Sequence, residues 1–229
     1  MTIDEYKRSF SERLLLKFII TFSRWIPDKK YLEWLYPLVT GKKLNLNNPI
    51  SYNEKIQWLK LYDRRPEYTQ MVDKANVKDY VAKLIGREHV IPTLAIYDTV
   101  EEINFEALPN QFVLKNTHDS GGLVICKDKS IFDKDAAIIK LRNGLKKNYF
   151  NLNREWPYKN VKPRIIAEQY MTDSDDELKD YKVFTFDGVT KIIEIDYNRF
   201  KGHQRTLYTP EWKKIDALIQ FPTDPNREI

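Results

Sequence analysis

The sequence contains few of the residues from which disulfides and zinc sites are built. Of its 229 residues, one is cysteine and three are histidine. A single cysteine excludes an internal disulfide, and three dispersed histidines do not form a zinc signature. Cys126 lies in an apolar run, where we expect a small buried side chain rather than a nucleophile. This cysteine usage indicates the cytoplasm as the compartment.

An apolar run of membrane-spanning length is also lacking. Residues 14–26 are largely apolar, but Lys17 and Arg24 interrupt them and the run is shorter than the roughly 20 residues that a spanning helix needs. We therefore expect neither a signal peptide nor an anchor. We favour packing of this segment against the rest of the domain. The alternative is weak peripheral contact with the inner face of the membrane, since an apolar helix with basic residues and Trp25 can lie on a membrane surface.

The chain has no strong excess of one charge. Its 38 lysine and arginine residues face 33 acidic residues, which gives a net charge of +5, and the two signs are mixed along the sequence. Nucleic acid is therefore not an expected partner. The hydrophobic content of 42% is enough to bury a core, in one large domain or two small ones.

The most informative segment is 112–126, which reads FVLKNTHDSGGLVIC. An apolar strand delivers Lys115 to a turn that contains Ser120, Gly121 and Gly122, and a second apolar strand returns. The glycines have no Cβ, so their amides can approach phosphate oxygens while the lysine supplies a positive charge. This pattern predicts a nucleotide phosphate site. A hairpin turn without a ligand is the alternative interpretation.

The first third of the chain is predicted to be mostly helical. Ser51 and Glu54 form a capping box at the start of one helix, and Asp73 caps a second helix that ends at Gly86. A third helix is expected at residues 133–145. The alternation of apolar residues predicts strands at 90–97, 111–115, 164–171, 181–186 and 189–196, with a hairpin turn at Asp187 and Gly188.

Two further segments fit a nucleotide. Residues 164–171 end in a polar and aromatic stretch that could offer backbone groups to an adenine edge between apolar walls. Asp180 and Lys182 alternate onto one face of their strand, where a carboxylate for ribose hydroxyls and a cation for phosphate would lie side by side. A cross-strand or solvent-exposed salt bridge is the alternative for this pair.

Six segments occur in an order that spans nearly the whole chain: 48–63, 73–74, 112–115, 154–156, 163–168 and 180–182. Together they resemble the ATP-grasp superfamily, in its branch similar to the teichuronopeptide-biosynthesis protein TupA. The resemblance implies an α+β fold with a helical N-terminal region and first α/β subdomain over 1–107. It further implies a glycine-flap β subdomain with an adenine hinge over 108–172, and the start of an incomplete catalytic sheet over 173–229.

The resemblance also implies roles for individual residues. Two lysines would hold the ATP phosphates beneath a flap, a hinge would face the adenine, and arginines of the basic loop at 198–205 would face phosphate or acceptor. In this sequence these are Lys74 and Lys115 for the phosphates, Ser120, Gly121 and Gly122 for the flap, Glu168, Gln169, Tyr170 and Met171 for the hinge, Asp180 for ribose, and Arg199 and Arg205 for catalysis.

The implied activity is that of a carboxylate–amine ligase of cell-surface polysaccharide biosynthesis or modification. A substrate carboxylate attacks the γ-phosphoryl group of ATP, and an amine captures the resulting acylphosphate as an amide. The expected partners are a polysaccharide or sugar acid and an amine acceptor, with ATP and Mg²⁺ as cofactors. The magnesium ligands of the family follow the basic loop, so they are expected beyond Ile229 and the chain looks truncated.

The sequence departs from the family at Asp119, where glycine is usual. A carboxylate beside the triphosphate repels it unless the side chain turns outward or faces magnesium. Glu194, Asp196 and Asn198 alternate onto one strand face and could bind a cation, although we favour an exposed polar face.

Two other function classes remain open. The Asp173-Ser174-Asp175 segment matches the short D-x-D pattern with which some glycosyltransferases hold a divalent ion, although a solvated acidic loop is favoured. A non-catalytic nucleotide- or sugar-binding module is the third possibility. Binding of ATP rather than UDP-sugars would distinguish the ligase from the transferase.

Overall fold

The computed structural model of the protein describes residues 9–172, 178–199 and 202–223. The chain divides into two compact units, the first ending at Tyr170 and the second beginning at Met171. The described residues combine helices with two antiparallel sheets, which confirms the α+β class. The finer division into segments 1–107, 108–172 and 173–229 stays a prediction.

The first unit begins with helices. In the described residues they are α1 (Phe10–Thr21), α2 (Asp28–Thr40), α3 (Tyr52–Tyr62), α4 (Glu67–Val72), α5 (Asn76–Ile85), α6 (Lys134–Leu145) and α7 (Phe150–Asn153).

The predicted helix ends are confirmed at Ser51 and Gly86, whereas the N-cap of α5 is Ala75 and not the predicted Asp73. The Ser51 hydroxyl accepts a hydrogen bond from the backbone amide of Glu54, and the Glu54 carboxylate accepts one from the backbone amide of Ser51. Together they form a complete capping box. The Asp73 carboxylate accepts the amides of Ala75 and Asn76 in the turn that leads into α5. Gly86 ends α5 with a φ of 100°, a conformation that disfavours residues with a Cβ.

The first sheet is the scaffold of the candidate site. Its described strands are β1 (Thr93–Tyr97), β2 (Phe112–Asn116), β3 (Leu123–Cys126) and β4 (Ile165–Gln169), in the antiparallel order β1-β4-β2-β3. One face carries Phe112, Leu114 and Ala167 into a core that also contains Leu141 of α6. Cys126 is 1% exposed, as its place in an apolar run predicted. Both β1 and β4 are shorter than the sequence pattern indicated.

The second unit contains a meander. Its described strands are β5 (Asp180–Phe186), β6 (Val189–Tyr197), β7 (Gln204–Tyr208) and β8 (Lys214–Ile215), in the order β5-β6-β7-β8. Asp187 and Gly188 form the predicted hairpin turn, with φ angles of 50° and 75°. The sequence pattern did not predict β7 or β8.

The N-terminal helices have a separate core that includes Ile19, Tyr31 and Leu32. α1 packs on it through Ile19 and Leu16 but leaves Phe10 and Phe18 exposed on its other side. None of the described helices is long and apolar enough to cross a membrane.

Candidate functional site

The face of the first sheet opposite the core carries charged side chains. Val113 pairs with Glu168 and Lys115 pairs with Ile166 across β2 and β4, so strand alternation places Lys115 and Glu168 on the same face. The Lys115 Nζ lies 2.5 Å from Glu168 Oε2. Leu114, next to Lys115 on β2, and Ala167, next to Glu168 on β4, point into the core.

A second lysine reaches the same carboxylate from a helix. Lys78, in the first turn of α5, places its Nζ 2.6 Å from Glu168 Oε1. Glu168 is 4% exposed. Burial alone would raise the pKa of its carboxyl, but hydrogen bonds and positive charge from Lys115 and Lys78 outweigh burial and lower it. Glu168 is therefore ionised and clamped between two ammonium groups. Sequence reasoning missed Lys78: it lies four residues after Lys74, but Lys74 precedes the first residue of α5, so helical spacing does not relate the two side chains.

Lys74 lies in the turn before α5, next to the loop between β2 and β3. Its backbone amide donates to Thr117 O at 3.1 Å. Its ammonium donates to Asn116 O at 2.9 Å and also to the carbonyl of Asp119. Burial lowers the pKa of Lys74, and the positive charge of Lys115 lowers it further against the opposing effect of nearby carboxylates. The two lysines that the sequence singled out are therefore neighbours around one site.

Asp119 turns inward. It is 7% exposed, and its Oδ1 lies 3.8 Å from Lys74 Nζ. Its Oδ2 accepts a hydrogen bond of 3.3 Å from the side-chain amide of Asn116. The carboxylate therefore does not turn outward, and Lys74 supplies a positive charge beside it, whereas a contact with magnesium stays a prediction. Two glycines make room: a Cβ on Gly122 would lie 2.4 Å from Asp119 Oδ2, and one on Gly144 of α6 would lie 1.6 Å from Asn116 Nδ2.

The predicted strand–turn–strand unit over 112–126 is confirmed by the pairing of β2 with β3. Ser120 is exposed at the tip of the turn, and Gly121 has a φ of 92° with open space around the position of a Cβ. The backbone amide of Asn116 donates to Gly122 O at 3.3 Å and closes the base of the turn. The role of this turn as a flap over phosphate stays a prediction.

The predicted adenine hinge follows β4. The Gln169 amide donates to Pro92 O at 3.1 Å, and the Gln169 side chain is exposed. The Tyr170 ring lies 5.8 Å from the Lys127 ammonium, and Met171 is the exposed first residue of the second unit. Since the Glu168 carboxylate is held by lysines, the hinge role rests on the main chain and stays a prediction.

A second charged cluster lies on the sheet of the second unit. Cross-strand pairing places Asp180 opposite Asp196, Lys182 opposite Glu194, and Asp196 opposite Arg205. Glu194 and Asp196 are 2% and 0% exposed. The expectation of an exposed polar strand face at Glu194 and Asp196 is therefore wrong: strands on both sides cover β6, and cations from those strands meet its carboxylates.

These carboxylates are fully engaged. The Arg205 Nε lies 2.7 Å from Asp196 Oδ1, its Nη2 donates to Asp196 Oδ2 at 3.1 Å, and the Nε is 3.0 Å from Glu194 Oε1. Lys182 pairs with Glu194 at 2.9 Å and also with Asp196. His203 adds a contact of 3.0 Å to Asp196 Oδ1, which the sequence did not indicate.

The pKa shifts in this cluster favour the charged forms of Asp196 and Lys182. Burial would raise the pKa of Asp196, but hydrogen bonds from Arg205, Lys182 and His203 outweigh burial and hold it well below its ordinary value. Burial would lower the pKa of Lys182, yet Asp196 and Glu194 raise it. The salt-bridge alternative thus describes Lys182 well, and its phosphate role stays a prediction. Arg199 pairs with Asp180 at 2.9 Å, so the catalytic roles of Arg199 and Arg205 and the ribose role of Asp180 stay predictions too.

The described residues contain no cluster of metal-binding side chains. Within residues 9–172, 178–199 and 202–223 there is no group of three or more histidine, cysteine, aspartate or glutamate side chains that could hold a metal ion. Glu194 and Asp196 are already neutralised by cations. Asp173 and Asp175 of the D-x-D pattern lie outside the described residues.

A family model described as TupA-like ATPgrasp matches residues 54–229, which is most of the chain. The protein belongs to the TupA-like ATP-grasp family. Proteins of this class generally bind ATP and Mg²⁺. The matched segment of this TupA-like chain contains Lys74, Lys115 and Glu168, as well as the charged cluster of the second sheet, whereas α1 and α2 precede it. Neither the curated proteins nor the solved structures gave a match.

Proposed function

We propose that this protein binds ATP through Lys74 and Lys115 and acts as a carboxylate–amine ligase in cell-surface polysaccharide biosynthesis or modification. The observation that carries the proposal is the convergence of three lysines on two buried carboxylates: Lys78 and Lys115 pair with Glu168, and Lys74 lies beside Asp119. Membership in the TupA-like ATP-grasp family supplies the nucleotide class.

The charge balance supports an anionic ligand. Among the described residues, the ammonium groups of Lys74, Lys78 and Lys115 and the guanidinium of Arg164 face three carboxylates, those of Asp73, Asp119 and Glu168. One positive charge is left over. Burial is the main cause of the lowered pKa of Lys74, and the positive charge of Lys115 lowers that pKa further. Because charge-assisted hydrogen bonds to phosphate are strong, a triphosphate would stabilise all three ammonium groups.

The turn over 120–122 supplies neutral donors beside these charges. A triphosphate held by lysines would have the amides of Gly121 and Gly122 within the same loop, where no Cβ opposes close approach at Gly121. Ser120 at the tip is free to fold over a ligand. We propose the main chain of Gln169–Met171 as the adenine contact. Lys182 is not included among the ATP ligands, because its ammonium already pairs with Glu194 and Asp196.

The chemistry follows from charge. Bound ATP supplies the γ-phosphoryl group that converts a carboxylate into an acylphosphate, which an amine then captures. Lys74 and Lys115 would hold the phosphates and offset the charge that develops on their oxygens, so the protein contributes mainly positioning and electrostatics. No step is assigned to magnesium, since the described residues offer no group of ligands for it.

The test compares ATP with UDP-sugars by calorimetry on the wild type, Lys115→Ala and Lys83→Ala. Lys83 is an exposed residue of α5 and serves as the matched control. We expect ATP to bind the wild type and Lys83→Ala equally, and Lys115→Ala to bind at least about tenfold more weakly. Binding of UDP-sugars without ATP binding would contradict the ligase and favour the glycosyltransferase.

A second proposal concerns the membrane. Phe10, Leu14 and Phe18 follow one another at helical spacing along α1 and are 83%, 61% and 48% exposed. Lys17 and Arg24 flank this apolar stripe, which suits a surface of anionic lipid.

Co-sedimentation with vesicles tests the membrane proposal. We expect weak binding to phosphatidylglycerol vesicles, less binding to phosphatidylcholine vesicles, and loss of binding in Phe18→Glu. The exposed Ile139 of α6 gives the control Ile139→Glu, which should bind as the wild type does. Equal binding of Phe18→Glu and wild type would exclude α1 as the contact.

A further inference from the structure

A cavity in the first unit has no assigned role. It has a volume of about 520 Å³ and is formed by two distant stretches of chain, residues 24–28 before and at the start of α2 and residues 148–160 around α7. Its size falls in the range of small-molecule sites. It shares no residue with the lysine cluster, and its first wall precedes the segment that the family model matches.

A buried ion pair fixes the wall of this cavity. Arg154 is 1% exposed, its Nε lies 3.0 Å from Asp28 Oδ1, and its guanidinium stacks 3.9 Å from the Tyr31 ring centroid. The guanidinium also donates to the carbonyls of Ser23 and Ile26. Asp28 in turn accepts from Arg64 at 2.8 Å. These contacts join the two stretches of chain and fix the wall of the cavity, and Arg154 shares its carboxylate partner Asp28 with Arg64.

Two other cations on the wall are not compensated. In the described part of the chain, neither Arg24 nor Lys159 has a carboxylate partner within ion-pair distance, although the Lys159 ammonium lies 5.1 Å from the Phe150 ring. The cavity therefore has a surplus of positive charge and would attract an anion.

The remaining wall is aromatic and amide-bearing. Trp25 is 75% exposed at the rim, where its ring face is open to a ligand. Among the described residues, the side-chain amides of Asn151 and Asn160 make no hydrogen bond, so each offers a donor and an acceptor. An open aromatic ring with free amides suits a flat, polyhydroxylated ring, and the cations suit a single negative charge on it.

We propose that this cavity binds an anionic sugar, either a hexuronate or a sugar phosphate. Both present a hydroxylated ring for Trp25 and the two amides, and an anion for Arg24 and Lys159. The proposal does not depend on ATP binding, because the cavity and the lysine cluster share no residue.

The test titrates glucuronate, glucose 6-phosphate, glucose and inorganic phosphate into the full chain and follows amide shifts by NMR. We expect at least one anionic sugar to bind about tenfold more tightly than glucose and than inorganic phosphate. The difference between glucuronate and glucose 6-phosphate identifies the anion that the cavity prefers.

Variants locate the binding. We expect Trp25→Ala, Arg24→Gln and Lys159→Gln each to weaken binding of the preferred sugar by about fivefold or more. Trp34→Ala, an exposed tryptophan of α2, and Lys83→Gln are matched controls outside the cavity and should bind as the wild type does. Lys115→Ala should also retain sugar binding, so failure of the ATP proposal is separable from failure of this one.

Three results would overturn the proposal. The first is absence of binding by both anionic sugars. The second is equal affinity for glucose or inorganic phosphate. The third is binding that survives in the double variant Trp25→Ala with Arg24→Gln.

Discussion

The two sheets each bring a lysine against buried carboxylates, but their charge balance differs. Around the first sheet, four cations (Lys74, Lys78, Lys115 and Arg164) face three carboxylates (Asp73, Asp119 and Glu168), and the pKa of Lys74 is lowered, chiefly by burial. In the second sheet cations and carboxylates are equal in number among the described residues, and the pKa of Lys182 is raised. The second set consists of Lys182, Arg199 and Arg205 with Asp180, Glu194 and Asp196.

The comparison shows that a lysine beside a carboxylate does not by itself indicate a ligand site. Where the carboxylates suffice, as around Lys182, the cluster is a cross-strand network that stabilises its sheet. Where they do not, as around Lys74, an ammonium group remains that an anion would stabilise. We expect the balance of charge, more than the residue types, to separate a binding site from a structural network.

The largest expected effect is on the second sheet. Asp196→Ala removes one of the two buried carboxylates that Lys182 and Arg205 share, the other being Glu194, and breaking a buried pair costs up to about 3 to 5 kcal/mol. Hydrogen exchange of the β6 amides should therefore accelerate strongly. Asp180→Ala, at a partly exposed residue of the same sheet, is the control and should have a much smaller effect. Unchanged exchange of the β6 amides in Asp196→Ala would contradict a structural role of this network.

Acid should produce a smaller loss in the same sheet. The folded-state pKa of Asp196 lies below its ordinary value of 3.8, so its stabilisation is present above that value and is lost as pH falls below it. We expect β6 exchange protection, corrected for intrinsic rates, to decline below about pH 4. Asp196→Asn should show a flatter acid dependence, and an equally steep one would assign the acid loss to other groups.

The next effect distinguishes the two lysines. Lys74→Met removes an ammonium group from the proposed phosphate site and should weaken ATP binding by about tenfold. Lys182→Met should leave ATP affinity within about twofold, although it destabilises the second sheet. Calorimetry at a temperature where both variants are folded measures the difference. The reverse order of effects would transfer the phosphate role to Lys182.

The smallest predicted change is a gain. Asp119→Asn keeps the shape of the side chain but removes the carboxylate that lies 3.8 Å from Lys74. ATP affinity should rise by about threefold to tenfold, because the carboxylate of Asp119 no longer repels the phosphates or competes with them for Lys74. Asp135→Asn, an exposed residue of α6, is the control and should bind as the wild type does. A fall in affinity for Asp119→Asn would mean that the carboxylate assists the ligand.

Local chemistry made part of this structure predictable. The capping box at Ser51, the hairpin turn at Asp187 and the strand–turn–strand unit around Lys115 depend on residues close in sequence, and all three are confirmed. The prediction that Lys74 lies in the same site as Lys115 came from the resemblance to the ATP-grasp family and not from residue spacing.

The remaining features depend on distant contacts. The burial of Glu194 and Asp196 follows from Arg205 on β7, a strand with no clear pattern of its own. The side-chain amide of Asn116, which donates to Asp119, occupies space left by Gly144 on α6. Neither could be inferred from a single stretch of sequence, because each depends on which elements lie side by side.

The most direct test of the charge-balance account is the pKa of Lys74 and Lys182, measured by NMR of ¹³C-methylated lysines with and without ATP. The account predicts that the pKa of Lys74 lies below its ordinary value of 10.5 in the free protein and rises when ATP binds. It predicts that the pKa of Lys182 lies above that value and stays unchanged. An ATP-dependent shift at Lys182 with none at Lys74 would contradict the account.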